Sequence, residues 1–387
     1  MSDRLDLLIR GGTVLDPGAG LSQRADIGVS DGRIAALGPD LPSDGVGEVL
    51  DATGCYVTPG LIDLHTHVYW GVNEFGMDID PVCLQTGVTT AVDAGSAGAV
   101  NFPGLVRYVV EPATTRLLAF VHVALHGVQK RPPTELRDIT YADAERAAET
   151  IRENPDVAVG VKVRMSSQIV GHNGHEALRR AINAAVLAAG RLMVHIGGSP
   201  IPLEEILNAL RPGDIVTHCF TGNPPSVVDE RGRLRKAAWE ARARGVLFDI
   251  GHGNGSCSFD VVRRALEQGF KPDVISTDLH RFSVHEPVVD LPTTLSKFLA
   301  LGLSIEEVIQ ASTVAPARAI GRQDRIGRIE PGREADLAVL VMREGHFTFE
   351  DAERHPLQAD RRIQARWTVR AGKAHPGTGL ADADGAA

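Results

Sequence analysis

The sequence predicts an α/β protein: a TIM-type (β/α)8 barrel carrying a small β-sandwich domain formed from both chain ends. Three observations predict it. Eight short apolar, β-rich runs occur at residues 57–64, 88–92, 117–124, 157–163, 192–196, 215–219, 246–250 and 274–277, and helical patterns at 176–189, 203–210, 234–244 and 259–268 separate several of them. Strands alternating with helices make parallel βα units, and eight units suggest a closed barrel, with an open doubly wound sheet as the competitor. The polar residues help to decide, because nearly every run ends in a side chain able to carry chemistry: His65 and His67, Asp93, His122 and His126, Lys162 and Arg164, His195, His218, and Asp278. Active sites of such barrels gather at the C-terminal strand ends. Unrelated core histidines or capping aspartates would not fall so regularly.

Residues 5–9, 13–15, 25–29 and 33–37 read as strands punctuated by Gly11-Gly12, Asp16-Pro17-Gly18 and Ser30-Asp31-Gly32. Such pieces bury little alone, and runs at 335–341 and 366–370 offer partners. The expected domains are therefore a composite sandwich from 1–56 and 320–387 and a barrel over 57–319. The Gly/Ala/Asp-rich 378–387 reads as a frayed tail.

Residues 57–67 form the organising stretch, read as one buried strand ending in His65-Thr66-His67. Side chains at i and i+2 share a strand face, so the two imidazoles project together and make half a metal site.

Composition excludes several classes. At 387 residues, 43% hydrophobic and 23% charged, the chain is ordinary for a globular enzyme rather than a disordered protein. A formal charge of −9 and a pI near 5.9 argue against a nucleic-acid partner, so the basic stretches 231–236 and 361–370 read as solvated faces. Cys55, Cys83, Cys219 and Cys257 are scattered without a Cys-x-x-Cys pair, as expected of reduced thiols. With no signal-peptide pattern and no run of membrane-spanning length, the expectation is a cytoplasmic protein without a membrane partner.

Pro59-Gly60-Leu61-Ile62-Asp63 before His65-Thr66-His67, followed by Lys162, His195, His218 and Asp278 on later strands, resembles the amidohydrolase superfamily of binuclear metal hydrolases. The likeness spans nearly the whole chain. It includes Gly-Arg-Ile-x-x-Leu-Gly at 32–38, Ala-Pro-Ala-Arg-Ala-Ile-Gly at 315–321 and the closing phrase at 327–337. The wording of residues 68–71, 162–166, 218–220 and 251–255 is similar to a deacetylase or dihydroorotase-like branch that includes acetyl-(R)-mandelate hydrolases.

On that resemblance, His65, His67 and Asp278 hold one divalent ion, expected to be Zn2+, and His195 and His218 hold a second. Lys162 cannot ligate a cation as an ammonium. The resemblance implies that it reacts with carbon dioxide to a bridging carbamate; the alternative is a structural lysine paired with Asp278 or another carboxylate. Two metals lower the pKa of a shared water toward about 7. Asp278 then acts as catalytic acid/base, and His280 either orients it or faces solvent. Arg164, two residues after Lys162, is a candidate for a substrate carboxylate or a surface ion pair. Tyr69, Asn73, His122, His252, Asn254 and Ser256 are further candidates for the pocket. The Gly251–Ser256 loop lacks the ending of a P-loop, and turn chemistry also explains its glycines.

Three functions follow. The first is hydrolysis of an acyl group, acetyl above all, from an ester or amide of a small α-substituted carboxylic acid. The second is cyclic-amide hydrolysis of the dihydroorotase or hydantoinase kind. The third is a non-catalytic assembly protein, which the full ligand set opposes. A homo-oligomer is expected only by analogy with the fold.

Overall fold

The computed structural model describes residues 4–129 and 135–381. The N-terminal strands are β1 (Leu7–Arg10), β2 (Thr13–Asp16), β3 (Leu21–Arg24), β4 (Asp26–Ser30), β5 (Arg33–Gly38), β6 (Glu48–Asp51) and β7 (Tyr56–Pro59). The barrel strands are β8 (Leu61–Thr66), β9 (Val88–Gly98), β10 (Arg116–His122), β11 (Ala158–Arg164), β12 (Arg191–His195), β13 (Ile215–Thr217) and β14 (Leu247–Asp249). The chain closes with β15 (Leu337–Glu350), β16 (Pro356–Arg370) and β17 (Lys373–Pro376).

Strands β8 to β14 pair in parallel in sequence order. The eighth predicted run closes the ring through single bridges, Asp249 to Val274 and Thr66 to Leu279. This run is extended but irregular, because Asp278 adopts a left-handed backbone (φ +52°) that breaks the pleat. The two faces of the barrel strands follow the two-residue period. Val161, Val163, Val194 and Val216 face outward into a cluster with helix residues Ala177, Ala181, Ile206 and Leu207, whereas Phe120, Met193 and Ile215 belong to a separate core. The four predicted helices appear as Gly174–Leu187, Leu203–Ala209, Lys236–Ala243 and Phe259–Glu267.

The sandwich consists of a four-stranded sheet, β5-β4-β1-β6, and a six-stranded sheet, β17-β16-β15-β7-β2-β3. Its core joins Leu7, Ile9, Ile27, Val57, Leu337 and Val339, so both chain ends bury one another's apolar faces. The stretch expected as one strand is two. Val57 pairs with Val14 and Val339 in the sandwich, whereas Leu61 pairs with Val88 in the barrel. The break is Gly60, whose backbone lies so close to Thr89 that a Cβ there would sit 2.1 Å from its Oγ1. The boundary drawn at residue 57 thus falls inside β7.

A second departure is the length of β15 and β16. They run well past the predicted segments as a hairpin whose tip reaches the barrel loops: Ala352 N donates to Cys257 O (2.9 Å) and Phe259 N to Asp351 Oδ2 (2.9 Å). Helix Leu291–Ala300 lies against it, with Ile363 N donating to Ser296 Oγ at 2.9 Å. Of the expected frayed tail, Thr378–Ala381 is a helical turn and 382–387 lie outside the described residues. All four cysteines are free and buried. Among the described residues no helix is long and apolar enough to cross a membrane.

Candidate metal centre

The strand ends bring the six predicted ligands to one place. One ligand atom each from His65, His67 and Asp278 lies within 4.8 Å of the others, with Asp278 Oδ1 at 3.4 Å from His65 Nε2 and 3.3 Å from His67 Nε2. Lys162 Nζ is 3.3 Å from His65 Nε2. The His218 ring lies 5.0 Å from that of His65 and 4.2 Å from that of His195. All six side chains line one cavity of about 500 Å³. His218 (φ +66°) and Asp278 both occupy the left-handed region, which non-glycine residues rarely visit and which clusters at functional sites.

Hydrogen bonds fix which nitrogen of each ring is available. Thr217 Oγ1 donates to Asp249 Oδ2 (2.7 Å), so it accepts from His65 Nδ1 (2.9 Å). Ser166 Oγ donates to Gly197 O (2.8 Å), so it accepts from His195 Nε2 (3.2 Å). His218 Nδ1 donates to Gly251 O at 2.7 Å. His67 Nδ1 faces Ser96 Oγ at 2.9 Å, and Ser96 N donates to Asp93 Oδ1. His65 Nε2, His195 Nδ1 and His218 Nε2 are therefore left with lone pairs, as metal-ligating imidazoles with outer-sphere partners require. Burial keeps the rings neutral: it holds His65 and His195 well below the usual histidine range and brings His218 down to about 4. An unprotonated His65 Nε2 facing a carboxylate oxygen at 3.4 Å sets acceptor against acceptor. A cation resolves that arrangement, and the donor set fits a divalent metal.

Lys162 is fully enclosed, and burial pushes its amine down to about 7 against the pull of Asp278 and Asp249. Its hydrogen bonds go to His65 Nε2 and Met193 Sδ (3.4 Å), not to the carboxylate of the alternative reading. Asp63 ties the first and last barrel strands together. Its Oδ1 accepts from Thr277 N (3.0 Å) and its Oδ2 from Thr277 Oγ1 (2.6 Å), which fixes the residue before Asp278.

Of the pocket candidates, Arg164, Asn254, Ser256 and His280 line the cavity together with Phe75, Ser166 and Asn223. Arg164 is not a surface ion pair: its Nη1 bonds the buried Glu135 carboxylate at 2.7 Å. His280 does not face solvent; it is buried against Phe75. Four candidates are turned elsewhere. Tyr69 donates to Asn101 O (2.9 Å) and lines a separate apolar cleft beside Trp70 and Tyr108, because the strand ends at Thr66 and the two-residue period is lost. Asn73 Oδ1 caps Phe75 N and Gly76 N. His122 is buried with Nδ1 accepting from Ala124 N. His252 is also fully buried, with Nε2 3.0 Å from Lys297 Nζ. Sequence reasoning missed Phe75, Ser96, Ser166, Thr217 and Asn223. The hydroxyl partners carry no distinctive pattern; only their adjacency to ligand-bearing strand ends could have flagged Ser166 and Thr217.

Two models of the Amidohydrolase family match, one over residues 48–154 and the other over residues 254–358. A deacetylase of Agrobacterium fabrum is 38% identical over 356 residues, covering 91% of this chain and 87% of that protein. A crystal structure of an adenine deaminase superposes with a TM-score of 0.90 at 32% identity, covering 96% of this chain and 100% of the other. A dihydroorotase crystal structure gives 0.88 at 35% identity, covering 96% and 97%. The barrel, its composite sandwich and these likenesses agree, and the chain belongs to the amidohydrolase family of hydrolases.

Proposed function

We propose that the protein is a deacetylase that hydrolyses an acetyl ester or amide of a small α-substituted carboxylic acid at a two-metal centre. The observation that carries this reading is the placement of Arg164 in the same cavity of about 500 Å³ as the metal ligands, with Glu135 fixing one edge of its guanidinium. Its remaining N–H donors suit a substrate carboxylate. The cavity size fits a small molecule, and the deacetylase name of the Agrobacterium relative supports acetyl as the group removed.

His65, His67 and Asp278 would hold one ion and His195 and His218 the other, with zinc as the metal. Lys162, whose amine burial brings down to about 7, would add its lone pair to carbon dioxide and lose an N–H proton to water. The resulting anion would offer two oxygens as donors. Such ions supply an acidified water and polarise the scissile carbonyl. Asp278 accepts the proton as the water oxygen bonds to the acyl carbon, then delivers it to the alcohol oxygen or amine nitrogen as that bond breaks. Arg164 holds the acid product's carboxylate throughout, and Asn254, Ser256 and His280 line the wall around the acyl group.

The test follows proton release from racemic O-acetylmandelate with protein shown to carry two zinc ions per chain. Release that stops near half the added ester supports a stereoselective acyl hydrolase. No release from metal-replete protein, with turnover of a cyclic amide such as dihydroorotate, would replace this reading by the cyclic one.

A further inference from the structure

Residues 251–253, Gly-His-Gly, form a backbone saddle against the metal centre. A Cβ on Gly251 (φ +46°) would lie 2.9 Å from His218 Nδ1 and 3.0 Å from His65 Nδ1, and one on Gly253 (φ +53°) would lie 2.5 Å from Asp278 Oδ2. The saddle hangs on the last barrel strand: Gly251 N donates to Ser276 Oγ (3.1 Å), His252 N to Ser276 O (3.1 Å) and Gly253 N to Thr277 O (2.8 Å). Its only side chain, His252, points away from the cavity into the protein. There Nδ1 donates to Gly253 O at 2.8 Å, and Nε2 receives a proton donor from Lys297 Nζ at 3.0 Å.

Lys297 sits in helix Leu291–Ala300, is 0% exposed, and donates also to Pro287 O at 2.6 Å. A buried ammonium costs several kcal/mol unless its surroundings repay it, and a methionine would fill the same shape without that cost. What the ammonium adds is the tautomer of His252. An obligate donor at Nε2 leaves the ring proton on Nδ1, and that proton closes the turn onto Gly253 O. Burial brings Lys297 down to about 8, so it is still protonated at neutral pH.

We infer that Lys297 and His252 are positioning residues that seat the Gly251–Gly253 saddle against His65, His218 and Asp278 and so set the geometry of the metal centre. The inference rests on the two-metal reading above. It gives His252 a place in the site without any contact to substrate.

The experiment compares wild type with Lys297→Met, His252→Leu, the double variant and His252→Gln, each loaded with Co2+ as the probe. The visible d–d spectrum is recorded, with Zn2+ affinity by chelator competition and Tm alongside. Lys297→Met and His252→Leu are expected to change the Co2+ bands and weaken zinc binding about 10- to 100-fold, the usual effect of losing an outer-sphere partner. The double variant should be no worse than either single one, because the two act as a unit, and should regain Tm because no charge is left buried. His252→Gln keeps an acceptor and a donor and should stay near wild type. Wild-type spectra and zinc affinity in the double variant would overturn the inference, as would a His252→Gln that behaves like His252→Leu. The double variant also decides the matter if Lys297→Met or His252→Leu alone fails to fold. A wild-type protein that binds no Co2+ would instead overturn the two-metal reading, and this inference with it.

Discussion

Two clusters of ionisable groups, one half-buried and one buried, lie at the two edges of the barrel, and they are built on opposite principles. At the junction with the sandwich, Arg116 and Arg370 face Glu334 and Asp336, two cations against two carboxylates, with Arg370 Nη1 3.0 Å from Asp336 Oδ1. Asp336 also accepts from Ala371 N at 2.9 Å. Against the effect of its burial, the two guanidinium groups hold Glu334 below the usual carboxylate range. At the opposite edge, by contrast, the unprotonated His65 Nε2 and an Asp278 oxygen face each other as acceptors, and His67 Nε2 turns toward that same oxygen. A cluster whose donors and acceptors cancel is finished when the chain folds. One whose acceptors converge is finished only by something from outside.

The sharpest way to break this contrast is Asp278→Asn, which removes the proposed ligand and the proposed proton carrier together. Turnover should fall by about 10²- to 10⁴-fold with an unchanged circular dichroism spectrum, and metal analysis should show a lost ion. Asp336→Ala attacks the junction instead. It leaves Arg116 and Arg370 short of a partner and should lower unfolding stability in urea by about 3 kcal/mol, while kcat and KM of the folded enzyme stay as they were. If kcat fell with stability, the two clusters would not be independent. Thr217→Val probes the boundary between the two kinds: it removes the acceptor of His65 Nδ1 without touching a ligand. Zinc affinity measured by chelator competition should drop about 10-fold or more. The smallest effect is expected from Tyr69→Phe, which loses the bond to Asn101 O and about 1 kcal/mol of stability with KM unchanged. A several-fold rise in KM would place Tyr69 back in the substrate pocket.

The candidate ligands were legible because few side chains bind metals, and a barrel strand must deliver its last residues to one rim. His195 and His218 needed only the strand period and a rule about which end matters. The supporting residues were hidden for physical reasons. Ser96, Ser166 and Thr217 are types found in any loop, and their roles depend on distances to another strand. His252 was misplaced because the left-handed glycines on either side turn its side chain away from the rim, which no period of two anticipates. Helix Leu291–Ala300 escaped because it is buried on nearly every side and shows no apolar stripe. The far half of the β15–β16 hairpin mixes Arg343, Glu344 and His346 with Phe347 and Phe349, and it becomes a strand only through its partner.

The pairing of β7 with both β2 and β15 has a consequence for the order in which the molecule can be made. Leu337 follows Pro59 by more than 270 positions in the chain, and a ribosome adding about 5–20 residues per second needs roughly 14 s or more to bridge that interval. Throughout it, the nascent N-terminal strands present the apolar side that Leu337 and Val339 later cover. Emerging barrel strands with unpaired edges accompany them. Chaperone demand in the cell should therefore be set by the wait for the strands from Leu337 onward, and a stop codon shortly before residue 337 should yield insoluble product even though all six residues of the proposed metal centre have been translated.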